Sequence, residues 1–290
     1  MPYSPTYGIF NRFYSEGVLA KGSQVRAHSW SVTPVELLGE EKVDHGIHGT
    51  GFFYQHNGMS YLITNWHNVA GLNPFTYEVM HKGNFVPKYA RIYVPLVHDD
   101  NVYYRVPRSS IDLTLYENFD EPLWLEHESF TDVRADIVAI KLPVSLPKGM
   151  HVNGNDSHDL VNFVGDDVFI VGYPFKNYVG SMPPIWKRGS FASDPGLPVD
   201  DRPMFLIDAA SRPGMSGSPI FRHKLGPATD KQWNVHVANI VTTQFIGVYS
   251  GHLQSGYNEV TLGFGWSGDL VDEILTTPHR PTRQLAMRSV

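Results

Sequence analysis

Residues 207–221 read Ile207-Asp208-Ala209-Ala210-Ser211-Arg212-Pro213-Gly214-Met215-Ser216-Gly217-Ser218-Pro219-Ile220-Phe221. The stretch follows a strand-like run, Met204–Asp208 (MFLID), and leads into a second apolar run at Ile220-Phe221. Ser216 has glycine two positions before it and one position after it. Glycine there lets the backbone turn sharply and lets a substrate carbonyl approach closely. For the segment from Gly214 to Pro219 alone, a flexible Gly/Ser loop is the competing reading.

Working outward from that loop, the chain reads as strands and turns. Short runs rich in aromatic and β-branched residues occur at 50–54 (TGFFY), 61–64 (YLIT), 91–96 (RIYVPL), 102–106 (VYYRV) and 111–115 (IDLTL). They continue at 137–142 (IVAIKL), 168–172 (VFIVG), 204–208 and 245–249 (FIGVY), and residues 30–38 supply the first strand. Turn signals such as His56-Asn57-Gly58, Asp99-Asp100-Asn101, Asn153-Gly154-Asn155 and Asp194-Pro195-Gly196 separate them. Many short strands at this spacing predict an all-β sandwich or barrel. One helix is expected, at 267–275, with Ser267 as cap and Leu270, Val271, Ile274 and Leu275 on one apolar face. The last residues, 276–290, read as a solvated tail.

Composition narrows the function classes. The 290 residues are 42% hydrophobic and 18% charged, the balance of an ordinary globular protein. At this length about three quarters of the chain's surface can be buried, so a core needs no cross-links. The net charge of −6 gives no basic footprint for nucleic acid. Cysteine is absent, which removes disulfides, thiolate metal sites and cysteine nucleophiles together. The first residues, MPYSPTYGIFNRFYSEG, lack the pattern of a secretory signal, and no run is long enough to span a membrane. The expectation is a soluble, cytoplasmic protein without membrane or nucleic-acid partners.

A serine hydroxyl is a poor nucleophile until an imidazole accepts its proton and a carboxylate fixes that imidazole's tautomer. Among 14 histidines, His67 stands out because it closes the apolar run Tyr61-Leu62-Ile63-Thr64-Asn65-Trp66-His67, read as a strand entering a turn. Asp136 heads another, Asp136-Ile137-Val138-Ala139-Ile140-Lys141-Leu142. Each has a plain structural reading, a satisfied histidine at a strand end and a turn aspartate. An α/β-hydrolase elbow would need glycine where Ser218 stands and a helix after it. The order His67, Asp136, Ser216 is that of the chymotrypsin-type triad, which is the worked template for this chemistry.

The sequence resembles the trypsin-like serine peptidases of the chymotrypsin fold, especially the cysteine-free bacterial branch with the HtrA-type and glutamyl endopeptidases. Residues 49–53 (GTGFF) look like the family's Gly-Ser-Gly-apolar strand. Residues 62–67 (LITNWH) resemble VVTNxH, 136–142 (DIVAIKL) resemble DIALLKL, and 165–175 (GDDVFIVGYPF) resemble GDxVxxxGxPF. Residues 207–221 resemble TDAxxNPGNSGGPL, and 246–248 and 262–264 match two later pocket strands. The resemblance runs from Gly49 to Leu275 in order. It implies two six-stranded antiparallel β-barrels, about 25–145 and 160–265, followed by the helix at 267–275, all within one peptidase domain over 1–275. It also implies a serine endopeptidase acting on peptide or protein substrates, without cofactor. Ser216 would be the nucleophile, His67 the general base, Asp136 its orienting carboxylate, and the amides of Gly214 and Ser216 the oxyanion hole. Ser250 falls where the family places a residue touching the aspartate.

Two departures matter. Met215 stands where pancreatic relatives carry an aspartate that pairs with a new N-terminus, so N-terminal cleavage is not expected to switch activity on. Ala210 stands at trypsin's acidic pocket base, so cleavage after Arg or Lys is not expected. The remaining pocket walls would be Ser211, Ser250, Gly251, His252 and Gly263. Their small size favours a medium or large apolar P1 residue, with His252 and Arg212 favouring an acidic one instead. Glutamyl endopeptidases carry histidine at the position of Tyr249, which counts against the acidic choice. His45 and His48 have no second ligand pair nearby, so no metal is expected and a loop role is assigned to them. Two alternatives stay open: a latent protease activated by a regulatory protein partner, and a peptidase-fold scaffold without turnover.

Overall fold

The computed structural model describes residues 28–81, 85–95, 108–117, 121–147, 149–154, 160–174, 183–209, 212–236, 241–252 and 262–281. The run expected at 102–106 and the pocket residues Ala210 and Ser211 lie outside these. The first half contains β1 (Val32–Leu38), β2 (Asp44–His56), β3 (Met59–Thr64), α1 (Trp66–Ala70), β4 (Tyr89–Pro95), β5 (Arg108–Thr114), α2 (Phe130–Val133) and β6 (Val138–Lys141). The second half contains β7 (Asp167–Gly172), β8 (Ile185–Phe191), β9 (Met204–Asp208), β10 (Pro219–Leu225), β11 (Val241–His252), β12 (Leu262–Ser267) and α3 (Asp269–Thr276).

Strands β7 to β12 form a closed antiparallel barrel in the order β8-β9-β12-β11-β10-β7. Strands β1 to β6 form a six-stranded antiparallel sheet, β5-β4-β1-β2-β3-β6, that among the described residues is not closed by a ladder. The segment after β5 bridges the gap instead. Leu115 N donates to Lys88 O, Leu123 N to Leu115 O, and Leu125 and Ala139 exchange bonds of 2.8 and 3.0 Å across the free edge of β6. The expected pair of six-stranded antiparallel barrels is present, the second closed and the first a half-barrel among the described residues. The architecture is the chymotrypsin-like pair with its first barrel open.

Alternation along the strands explains why β2, β3 and β6 read as unbroken apolar runs. Successive side chains point to opposite faces. Phe53, Leu62, Val138 and Ile140 enter the core of the first sheet, where they meet Trp66, Trp124 and Phe130. Phe52, Ile63, Ala139 and Ile137 enter a different core, shared with Val171, Phe221, Val248 and Trp266 of the second barrel. Both faces are buried over 49–54, 60–64 and 138–140, so these stretches are mostly apolar. A third core, with Val168, Ile170, Phe205, Ile207, Ile220 and Tyr249, fills the second barrel.

Helix α3 packs Leu270, Val271, Ile274 and Leu275 into the shared core, each worth about 1.5–3 kcal/mol of burial. It begins at Asp269 rather than Ser267, because Ser267 ends β12 paired with Gly247. The tail is not wholly solvated. Glu126 N donates to His279 O at 3.0 Å, and Pro281 is buried. Among the described residues no helix is long and apolar enough to cross a membrane.

Candidate active site

Strand β3 ends at Thr64, Asn65 stays extended (φ −75°, ψ 147°), and the chain then makes a helix of only five residues, α1. His67 lies in this helix, not at a strand end as expected. Trp66, Val69 and Ala70 anchor α1 in the first core. Trp66 Nε1 also donates to the buried Glu126 at 3.2 Å, and its ring lies 5.1 Å from that of Phe130. Gly71 ends the helix in the left-handed region (φ +70°), donating to His67 O at 2.9 Å. Both ends of α1 are thereby fixed, and His67 is held at 8% exposure.

Asp136, 1% exposed, sits two residues ahead of β6. Its Oδ1 accepts from the His67 amide at 2.8 Å, and its Oδ2 lies 2.6 Å from His67 Nδ1. The Ser250 hydroxyl donates to the same Oδ2. Asn65 Nδ2 donates to the Asp136 carbonyl at 2.6 Å. A carboxylate that accepts from the His67 amide and the Ser250 hydroxyl places the proton of the His67 ring on Nδ1 and leaves Nε2 with its lone pair.

Ser216 arrives from the second barrel on a loop with two positive-φ glycines, Gly214 (+93°) and Gly217 (+85°). Neither position has room for a side chain. A Cβ on Gly217 would lie 2.1 Å from Thr50 O, and one on Gly214 would lie 2.6 Å from both His48 Nε2 and Tyr173 O. Thr50 of β2 clamps the loop: its amide donates to Ser216 O at 2.8 Å and its hydroxyl to Gly214 O at 2.8 Å. Asn68 Nδ2 donates to Ser216 O at 3.2 Å and to Thr64 Oγ1 at 3.0 Å. Met215 does not pair with any charge. It is buried in the second barrel's core.

The structure thus brings His67, Asp136, Ser216 and Ser250 together at the junction of the two halves. Among the described residues the Ser216 hydroxyl donates to Ser250 O at 3.1 Å and is not hydrogen-bonded to His67. The amides of Met215, Gly217 and Ser218 donate to Arg212 O, Tyr249 O and Met215 O. The amides of Gly214 and Ser216 have no protein acceptor among the described residues. Of the expected pocket residues, Ser250, Gly251 and His252 lie on β11 and Gly263 on β12, with His252 paired to Gly263. A bulge between Tyr249 and Gly251 turns Ser250 toward Asp136 and Ser216.

Sequence reasoning missed five contributors. Thr50 and Thr64 lie inside the apolar runs, and Asn68 follows His67; all three are buried polar residues. His48, expected in a loop or surface role, is on β2 against Gly214. His81 lies close enough for His67 to act on it; burial first, and then His67, push its pKa below the usual 6.5. The signal that could have flagged Thr50 and Asn68 is their polarity within stretches otherwise destined for the core.

The family model described as a trypsin-like peptidase domain matches residues 49–226. Among solved structures, the chain is similar to the serine endoprotease from Yersinia pestis, at 12% identity and TM-score 0.48, over 89% of this chain and 66% of that one. It is similar to the HtrA-type protease AlgW with a tripeptide, at 15% identity and TM-score 0.47, over 88% and 63%. It is also similar to the active form of the Rv3671c protease from M. tuberculosis, at 17% identity and TM-score 0.46, over 91% and 87%. No curated protein matches. With the family match spanning more than half of the chain, from the clamp at Thr50 past the serine loop, the chain belongs to the trypsin-like peptidases, a family of serine protease hydrolases.

Proposed function

We propose that the protein is an endopeptidase in which Ser216, His67 and Asp136 act as a triad and the amides of Gly214 and Ser216 form the oxyanion hole. The observation that carries this reading is the continuous chain of contacts from His67 Nδ1 to Asp136, from Asp136 to Ser250, and from the Ser250 carbonyl to Ser216 Oγ. The reading requires a rotation about χ1 that takes the Ser216 hydroxyl from that carbonyl to His67 Nε2.

Ser216 Oγ then adds to the substrate's carbonyl carbon as its proton passes to Nε2. The negative charge moves to the carbonyl oxygen, where two preorganised amides receive it. Asp136 stabilises the imidazolium that forms. Collapse breaks the C–N bond, and His67 gives its proton to the departing amine. Water, deprotonated by His67, releases the acyl group and returns the proton to Ser216. All of these groups belong to the protein or to solvent. Burial first, and then His67, lower the pKa of His81, which disfavours a second positive charge near His67.

Peptide hydrolysis by the Ser216→Ala and Asp136→Asn variants tests the assignment. Ser216→Ala should lose about 10⁶ in kcat and Asp136→Asn about 10⁴, with both variants folded. Turnover retained by folded Ser216→Ala would remove the assignment, and folded wild-type protein without turnover would leave the scaffold alternative.

A further inference from the structure

Beside Ser216, β11 runs on through Ser250, Gly251 and His252, and β12 pairs with it through Gly263. A glycine-lined wall makes a deep pocket only if nothing else enters it. Tyr249 pairs with Gly265 across the bulge, and its side chain is directed into the second barrel's core with Met215, Ala209, Ile207 and Phe205. The ring reaches across to the neighbouring strand. A Cβ built on Gly263 would lie 2.9 Å from Tyr249 Cε2 and 3.1 Å from its hydroxyl oxygen. The hollow left by Gly263 is therefore filled by the phenol. Only 1% of Tyr249 is exposed, so almost none of the ring is left for a ligand to touch.

We propose that Tyr249 plugs the P1 pocket, so that this protein cleaves after small residues, Gly, Ala or Ser. The inference rests on the peptidase reading above. A longer P1 side chain would have to push the phenol into a close-packed core, and interiors packed at crystal density do not yield that space. The outcome differs from the medium or large apolar P1 expected from the glycine count, which left Tyr249 out.

The test uses one peptide series varied only at P1 (Gly, Ala, Ser, Val, Leu, Phe), with active sites counted by fluorophosphonate labelling. Wild-type kcat/KM is expected to be highest for Ala and Ser, and about 10-fold or more lower for Leu and Phe. Tyr249→Val should raise Leu and Phe cleavage about 10-fold relative to Ala. Wild-type protein that cuts after Leu or Phe as readily as after Ala overturns the inference, whether or not the variant folds. So does a fully labelled Tyr249→Val that keeps the wild-type profile. Wild-type protein that neither labels nor cuts would overturn the peptidase reading itself, and this inference with it; labelling together with large-P1 cleavage overturns the inference alone.

Discussion

The two halves hold their proposed catalytic residues in different ways. In the first, His67 and Asp136 are fixed from within: α1 is anchored by Trp66 and Val69 in its own core, and Asp136 accepts from the His67 backbone and side chain. In the second, Ser216 sits on a loop that its own barrel fixes only in part, through Met215 in the core and Gly217 N donating to Tyr249 O. Thr50 and Asn68 of the first half hold it, through the carbonyls of Gly214 and Ser216. The closed barrel supplies the proposed nucleophile, and the open one helps to set its position. Alignment of Ser216 with His67 is therefore a property of the junction.

Substituting the two kinds of glycine in the second half tests this most severely. Gly217→Ala drives a Cβ to within 2.1 Å of Thr50 O, a backbone atom that cannot move aside. We expect a loss of about 4 kcal/mol or more in chemical denaturation, or no folded protein. Gly226, at φ +107°, has nothing within 4 Å of the point where a Cβ would stand. Gly226→Ala should lose only the backbone term, about 1–2 kcal/mol. Equal losses at the two sites would mean that the first half does not shape the serine loop.

A smaller effect is expected at the cross-link itself. Asn68→Ala removes the donor to Ser216 O and Thr64 Oγ1 from a side chain that is 5% exposed. The expected loss is about 1–3 kcal/mol of stability, with kcat reduced about 10-fold and KM little changed. A change confined to KM would place Asn68 in substrate binding instead.

The smallest effect is in the response to pH. Burial lowers the pKa of His151, beneath the first sheet, and of His223 on β10, where His28 lowers it further. With a folded-state pKa below the usual 6.5, the unfolded chain takes up protons first as pH falls. Stability is then complete above pH 6.5 and lost progressively below it, until the folded-state pKa is reached. Thermal melts from pH 8 to 5 should show this fall, and His151→Gln and His223→Gln should each flatten it. An unchanged slope in either variant would remove that histidine from the account.

Much of this was legible in the sequence because local signals carried it. The strand runs, the apolar face of α3 and the His67, Asp136, Ser216 order needed only periodicity and spacing. The features that were not legible depend on long-range contacts. Helix α1 is too short to announce itself by pattern, since five residues do not outweigh the cost of helix nucleation. The gap in the first sheet is bridged by single residues, Leu115, Leu123 and Leu125, rather than by a strand. The place of Tyr249 depends on a one-residue bulge at Ser250, and a slip of one residue reverses every side chain in a strand. Thr50 and Asn68 act on residues 148 to 166 positions away, which no local window can contain.

The most direct test of the central claim, a competent nucleophile assembled across the junction, is intact-protein mass after fluorophosphonate treatment. One adduct on the native chain, none on Ser216→Ala and markedly slowed labelling of Asn68→Ala would agree with it. Native, folded protein that takes up no adduct would contradict it.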